Sequence, residues 1–283
     1  FDKDGLPHLQ EFSTDDPSVQ LSVRDSVTHE LVSITHYSAH KAHKTLGVWL
    51  SPDLSATAEY THLQQKVQSL CTRLFPHNLD ANIIRRFLVS MCRSSICYGS
   101  PISTLSRQQW KTLQTRLHSL LLSKFRYNQK VPNAIIHAPI EAGGIGLPDG
   151  YAEQGTQHLL FLSKHLRSNS VVGDHLLLVL QWTHLLSGYA TPPLQNPSLP
   201  LPHVNAPWVT STQEFLASNH LRVEIADLPS YTPLREGDIS LMEAAITHYG
   251  VAATKTLLRI NACRLYLRIL YLSELVSSNG RWL

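Results

Sequence analysis

Long apolar runs are missing from this 283-residue chain: the longest, Leu176–Leu180, covers five residues, far short of the roughly 18 that a membrane span requires. Cysteine is scarce. Cys71, Cys92, Cys97 and Cys263 show no C-x-x-C spacing, which argues against a zinc ribbon or a dithiol redox centre and reads as reduced, mostly buried thiols of an intracellular protein. The first residue is Phe1, followed by the polar Asp2-Lys3-Asp4-Gly5. With neither an initiator methionine nor a signal core there, the chain reads as a segment of something longer. Several catalytic signatures are absent too. Gly144-x-Gly146 runs into Leu147-Pro148-Asp149 without the third glycine of a dinucleotide fingerprint, so the glycines read as a tight turn into the next helix. His29-Glu30 lacks the second histidine of a zinc hydrolase helix, and no Gly-x-Ser-x-Gly elbow occurs.

The most informative scarcity is that of acids between Thr61 and Lys130. Four lysines (Lys66, Lys111, Lys124, Lys130) and seven arginines (Arg73, Arg85, Arg86, Arg93, Arg107, Arg116, Arg126) face one acid, Asp80, for a formal charge of +10. Residues 1–60 carry −5 and residues 131–283 carry −2, so a chain total of +3 conceals a strong asymmetry. Such a concentration of positive charge attracts polyanions whatever their sequence. A merely soluble helix would carry both signs in i,i+4 pairs.

The elements expected are mainly helical with a small β part at the N-terminus, an α+β class. Residues 1–50 read as strands: Val19, Leu21 and Val23 alternate with polar residues, Leu31-Val32-Ser33-Ile34 is a β-branched run, and Lys44–Leu50 is a short strand with Gly47 inside it. Residues 51–130 read as a basic three-helix unit. Its first helix, over about 55–75, has Leu63, Val67, Leu70 and Leu74 inward. The second is capped by Asp80, with Ile83, Ile84, Phe87, Leu88 and Met91 as its core face. The third starts with a Ser106/Gln109 capping box and buries Trp110, Leu113, Leu117, Leu120 and Leu121. Residues 131–190 follow as a glycine-rich turn and a helical hairpin. Residues 191–207, with six prolines, read as a stiff extended connector. Residues 208–283 complete the chain with a helix near Ser211–Ser218, a strand Leu221-Val223-Ile225, a helix capped by Asp238 and a last helix over about 252–276.

Candidate contacts for a polynucleotide are the eleven cations named above, joined by Phe125 and Tyr127. The run Lys124-Phe125-Arg126-Tyr127-Asn128-Gln129-Lys130 interleaves charge with aromatic rings, a pattern that can pair phosphate contacts with base stacking or simply cover the end of a helix. His36, His40 and His43 form H-x3-H-x2-H without a carboxylate between them, which falls short of a metal site. Arg259, Arg264 and Arg268 are available to another face of the last helix, beside a core face of Ile260, Cys263, Leu267 and Leu270, which reads as a packed terminal helix ahead of a second nucleic-acid contact.

Several ordered blocks carry a family resemblance. Phe1–Pro7, Lys44-Thr45-Leu46-Gly47-Val48, His137-Ala138-Pro139 with Gly143–Pro148, Glu153-Gln154-Gly155, and Ile260-Asn261 with Cys263–Leu267 together resemble the region after the catalytic palm in reverse transcriptases of retrotransposons lacking long terminal repeats. The resemblance implies that residues 1–50 finish the palm sheet, that Lys44, Leu46 and Gly47 lie on the strand positioning the primer end, and that the basic helices are a thumb. It implies an RNA template and a DNA primer as partners, the upstream palm and fingers of the same polyprotein, no membrane, and a nuclear location for the whole element's protein. The family's chemistry needs an aromatic-x-Asp-Asp turn holding two magnesium ions. Asp15-Asp16 lacks that context, since Ser13 stands two residues before Asp15 and Pro17 follows. The segment is therefore expected to be inactive alone and to hold no cofactor, Mg2+ belonging to the missing palm. The competing reading is a helical protein-interaction scaffold, or a decayed remnant with no nucleic-acid role.

Overall fold

A computed structural model describes residues 22–33, 40–168, 170–233 and 235–277. Within them the chain is mainly helical, with a small β part at its N-terminal end, and it divides into two compact units, residues 1–63 and 64–283. The block Phe1–Pro7, the pair Asp15-Asp16 and His36 lie outside the described residues.

The first unit holds two antiparallel pairs of strands. β1 (Ser22–Arg24) pairs with β2 (Leu31–Ser33), Val23 opposite Val32. The loop between them is closed by Asp25, whose carboxylate accepts from the Val27 and Thr28 amides at 2.7 and 2.8 Å. β3 (His43–Thr45) pairs with β4 (Val48–Leu50). The single strand expected over Lys44–Leu50 is thus a hairpin. Leu46 and Gly47 form its two-residue turn with φ of 49° and 94°, the left-handed pair that matches the twist of the flanking strands. Buried Glu59, in the first turn of α1 (Thr57–Leu74), accepts from the Trp49 amide at 2.7 Å.

In the second unit α1 continues, with Val67, Leu70 and Leu74 buried. α2 (Ala81–Phe87) starts at Asp80, whose carboxylate accepts from the Asn82 amide at 2.9 Å. It passes directly into a π-helical segment, Leu88–Arg93, and then α3 (Ser94–Ile96). The buried side chains are Ile84, Leu88, Cys92 and Ile96, every fourth residue. A straight α-helix of 3.6 residues per turn lets such a row drift around its axis, and the wider π turn brings it back to one side. Ile83 and Met91, expected inward, are consequently exposed.

α4 (Arg107–Lys124) opens with both halves of the Ser106/Gln109 capping box and buries Trp110, Leu113, Leu117 and Leu121. After α5 (Asn133–His137) the glycine segment turns back on it, the Ile145 and Leu147 amides donating to the Ile135 and Ile136 carbonyls at 2.9 Å. Gly143, at φ 80°, makes the turn possible. α6 (Gly150–Arg167) then packs on α4, on α7 (Val171–Ser187) and on α8 (Pro207–Ser218).

The proline-rich segment is not an extended connector. Its turns bury Leu194, Leu201 and His203. Leu194 joins Leu162, Leu180, Val209, Leu216 and Leu228 in one core, and Leu201 joins Tyr189, Met242, Ala245 and Leu257 in another. Leu221–Ile225 is not a strand either: the Val223 amide donates to the Leu194 carbonyl at 2.9 Å while Val223 and Ile225 pack against the first core. Ser240, not Asp238, caps α9 (Leu241–Tyr249). α10 (Thr254–Leu267) stops at Arg268, which adopts the left-handed conformation, short of the expected Val276. Cys263 and Leu267 are exposed, against expectation.

Candidate nucleic-acid interface

Three pieces of backbone meet at one end of the basic unit. They are the chain just after α1, the last turn of α2, and the end of α4 with the loop that follows. Lys124 donates from Nζ to the carbonyls of Phe75 and His77, both at 2.6 Å, and lies 5.8 Å from the Phe75 ring. The Arg85 guanidinium stands 5.5 Å from the Phe125 ring centroid. Gln129 donates to the Ser119 carbonyl at 2.8 Å, folding the loop back along α4.

Seven cations sit on the elements that meet there: Arg73 in the last turn of α1, Arg85 and Arg86 in α2, Arg116 and Lys124 in α4, and Arg126 and Lys130 in the loop after it. Phe75 is 71% exposed and Tyr127 46% exposed among them. Between α1 and α4 lies an open cleft of about 550 Å³ lined by Gln68, Thr72, Phe75, Arg116, Ser123 and Gln129, among others. Hydroxyls, amides and one guanidinium therefore face the same space as an aromatic ring. A second open groove, about 540 Å³, is lined by Arg85, Arg86, Val89 and Ser90.

Other members of the predicted set are placed elsewhere. Arg107 and Lys111 sit in the first turns of α4, roughly 26 and 20 Å along the axis from Lys124 at 1.5 Å per residue. At about 100° per residue they also flank the helix on the side opposite Arg116. Arg107 lies 5.7 Å from the Tyr151 ring. Lys66 donates to the Ser95 carbonyl at 2.9 Å and pins α1 to the π-helical neighbourhood. Arg93 donates to both oxygens of Glu153 at 2.8 and 3.0 Å. Among the described residues it is the one cation of the eleven in an ion pair with a carboxylate.

In the first unit Lys44 lies in β3, and Leu46 and Gly47 form the exposed turn of that hairpin. His40 is 2.9 Å from Asp53. Hydrogen bonds from Ser51, His40 and Ser55 hold the Asp53 carboxyl down at about 2. Among the described residues no three histidine, cysteine or acidic side chains gather closely enough to hold a metal ion.

Of the three arginines available to another face of the last helix, Arg264 is drawn into the packing. Arg264 is buried, donating from Nη2 to the Leu185 carbonyl at 2.6 Å and from Nε to Asn261 Oδ1 at 3.0 Å. Asn261 in turn donates to the Leu186 carbonyl at 3.0 Å. These groups terminate α7 instead of facing solvent. The block Glu153-Gln154-Gly155 is structural as well: Gln154 accepts from Trp110 Nε1 at 2.8 Å and donates to the Leu105 carbonyl at 3.0 Å. Reading the sequence misses Phe75, whose place beside Lys124 depends on how α1 meets α4. Comparison with protein-family models, with curated proteins and with solved structures finds no match.

Proposed function

We propose that the basic helical unit is a noncatalytic clamp for the backbone of a primer-template duplex, within a reverse transcriptase of the retrotransposon type. The observation that carries the clamp is that Arg73, Arg85, Arg86, Arg116, Lys124, Arg126 and Lys130 lie on the elements joined by the Lys124 and Arg85 contacts, with Asp80 the one acid in residues 61–130. That acid already caps α2. Phosphates dock on exposed guanidinium and ammonium groups, and Phe75 and Tyr127 offer flat faces where a frayed or single-stranded base can stack. Lys124, held by two carbonyls, adds charge to the site more than a mobile contact. The turn at Leu46-Gly47, with Lys44 beside it, is the segment assigned to the primer end.

Fluorescence anisotropy with a labelled RNA–DNA hybrid tests the clamp. Replacing Arg86, Arg116, Arg126 and Lys130 together by glutamine is expected to weaken binding at least tenfold. Replacing Arg107 and Lys111, at the far end of α4, is expected to change it less than twofold. Equal losses from the two sets, or no binding by the native chain, overturn the site. The polymerase assignment rests separately on the ordered sequence blocks. It requires an aromatic-x-Asp-Asp codon run within about one domain length upstream in the parental reading frame, and its absence there overturns that assignment.

A further inference from the structure

α7 is apolar on two opposite sides. Leu180 and His184 are buried, facing α6 and the core. Val171, Leu178, Trp182 and Leu185 fall within about 60° of one another on the reverse side, and all are exposed, Trp182 at 59%, with exposed His175 beside them. Val172 and Val179 border this stripe and are exposed too. A helix apolar all round is ordinarily covered all round, and a contiguous exposed stripe marks an interaction surface.

We propose that this stripe pairs with the same stripe of a second copy, the two α7 helices crossing antiparallel about a two-fold axis near Leu178 and Val179. Charge selects the occupant. Asp174 is the one charged residue of α7, histidines aside, so a basic or acidic partner helix finds almost nothing to pair with, whereas an uncharged copy meets no penalty. Charge also selects the direction. Parallel pairing sets the two Asp174 carboxylates side by side, while antiparallel pairing about that axis separates them by roughly 13 Å along the helices. Size agrees: Trp182 of one copy then lies over the slimmer end of the other, near His175 and Val171. Six half-exposed aliphatic and indole side chains supply roughly 400 Å² per copy. At the apolar fraction usual for homodimers, the pair reaches roughly 1,200 Å² in total, the low end of specific interfaces.

Sedimentation of the full chain between about 1 and 200 µM tests the pairing. A concentration-dependent dimer is expected, abolished by Trp182→Glu and weakened by Leu178→Gln, both at exposed positions and both checked by circular dichroism for a retained helical spectrum. In a Cys263→Ser background, Leu178→Cys is expected to form a disulfide-linked dimer. Val171→Cys is not, because antiparallel pairing puts the two copies of residue 171 roughly 20 Å apart. A monomer at every concentration, a dimer indifferent to Trp182→Glu, or equal cross-linking at 171 and 178 overturns the proposal.

Discussion

Arg93 and Glu153, 60 residues apart in sequence, meet through a single guanidinium nitrogen that donates to both carboxylate oxygens at 2.8 and 3.0 Å. The pair joins the π-helical segment to α6 and removes one cation from the polyanion-facing set. Glu153 is the better covered partner, with 17% of its side chain exposed against 49% for Arg93. Arg93→Gln is expected to lower stability by about 0.5–1 kcal/mol in urea denaturation and to leave hybrid binding within twofold of native. A tenfold loss of binding would return Arg93 to the interface.

Gly155 of α6 lies under the ring of Phe215 in α8, where a Cβ would fall 2.1 Å from Phe215 Cγ. Gly155→Ala is expected to cost about 1–3 kcal/mol by overpacking. Phe215→Leu in the same chain is expected to recover part of that loss, a coupling measurable in a double-mutant cycle of chemical denaturation. Additive losses would mean that the two helices move apart instead of pressing on this contact.

Among the described residues, Arg264 has no carboxylate as a hydrogen-bond partner: Asn261 Oδ1 and the Leu185 and Ile269 carbonyls accept from it. Arg264→Met strands those buried acceptors and is expected to destabilise the chain by about 2–4 kcal/mol in thermal unfolding. Arg264→Lys is expected to recover less than half, since one ammonium cannot reproduce the planar fork.

Burial lowers the pKa of His118 and His158 from 6.5 to about 4, and of His184 and His203 in the same direction. The His158 Nε2 donates to the Ser103 carbonyl at 2.8 Å, and its Nδ1 lies 2.9 Å from the Thr212 hydroxyl. The unfolded chain therefore binds more protons between pH 6.5 and 4, so stability falls as pH drops through that window and levels off above it. Together, His118 and His158 are expected to cost on the order of a few kcal/mol of stability by pH 4, because a tenfold difference in proton affinity between folded and unfolded chains is worth about 1.4 kcal/mol. His158→Gln is expected to flatten the slope of stability between pH 4 and 6.5; an unchanged slope would place the titrating groups elsewhere.

Signals that act locally are legible in the sequence. Asp80 and the Ser106/Gln109 pair cap the helices expected of them, because a cap depends on three or four neighbouring residues. The Leu46-Gly47 turn is hidden because leucine at φ 49° carries none of the Asn-Gly or Asp-Gly signal of such hairpins. The proline-rich segment misleads because its composition favours extension, while Leu194 and Leu201 anchor it to two cores that only the folded chain creates. The excess of positive charge is legible, but its geometry is not. Whether a given cation faces solvent depends on distant partners, such as Glu153 for Arg93 and the Phe75 carbonyl for Lys124.

The salt dependence of hybrid-duplex affinity tests the clamp most directly. Phosphate contacts by about five of the gathered side chains predict a plot of log affinity against log salt with a slope near −4 to −5, falling to about −1 when Arg86, Arg116, Arg126 and Lys130 are glutamine. A native slope between 0 and −1, or the same slope in the variant, would contradict a phosphate grip at this end of the helices.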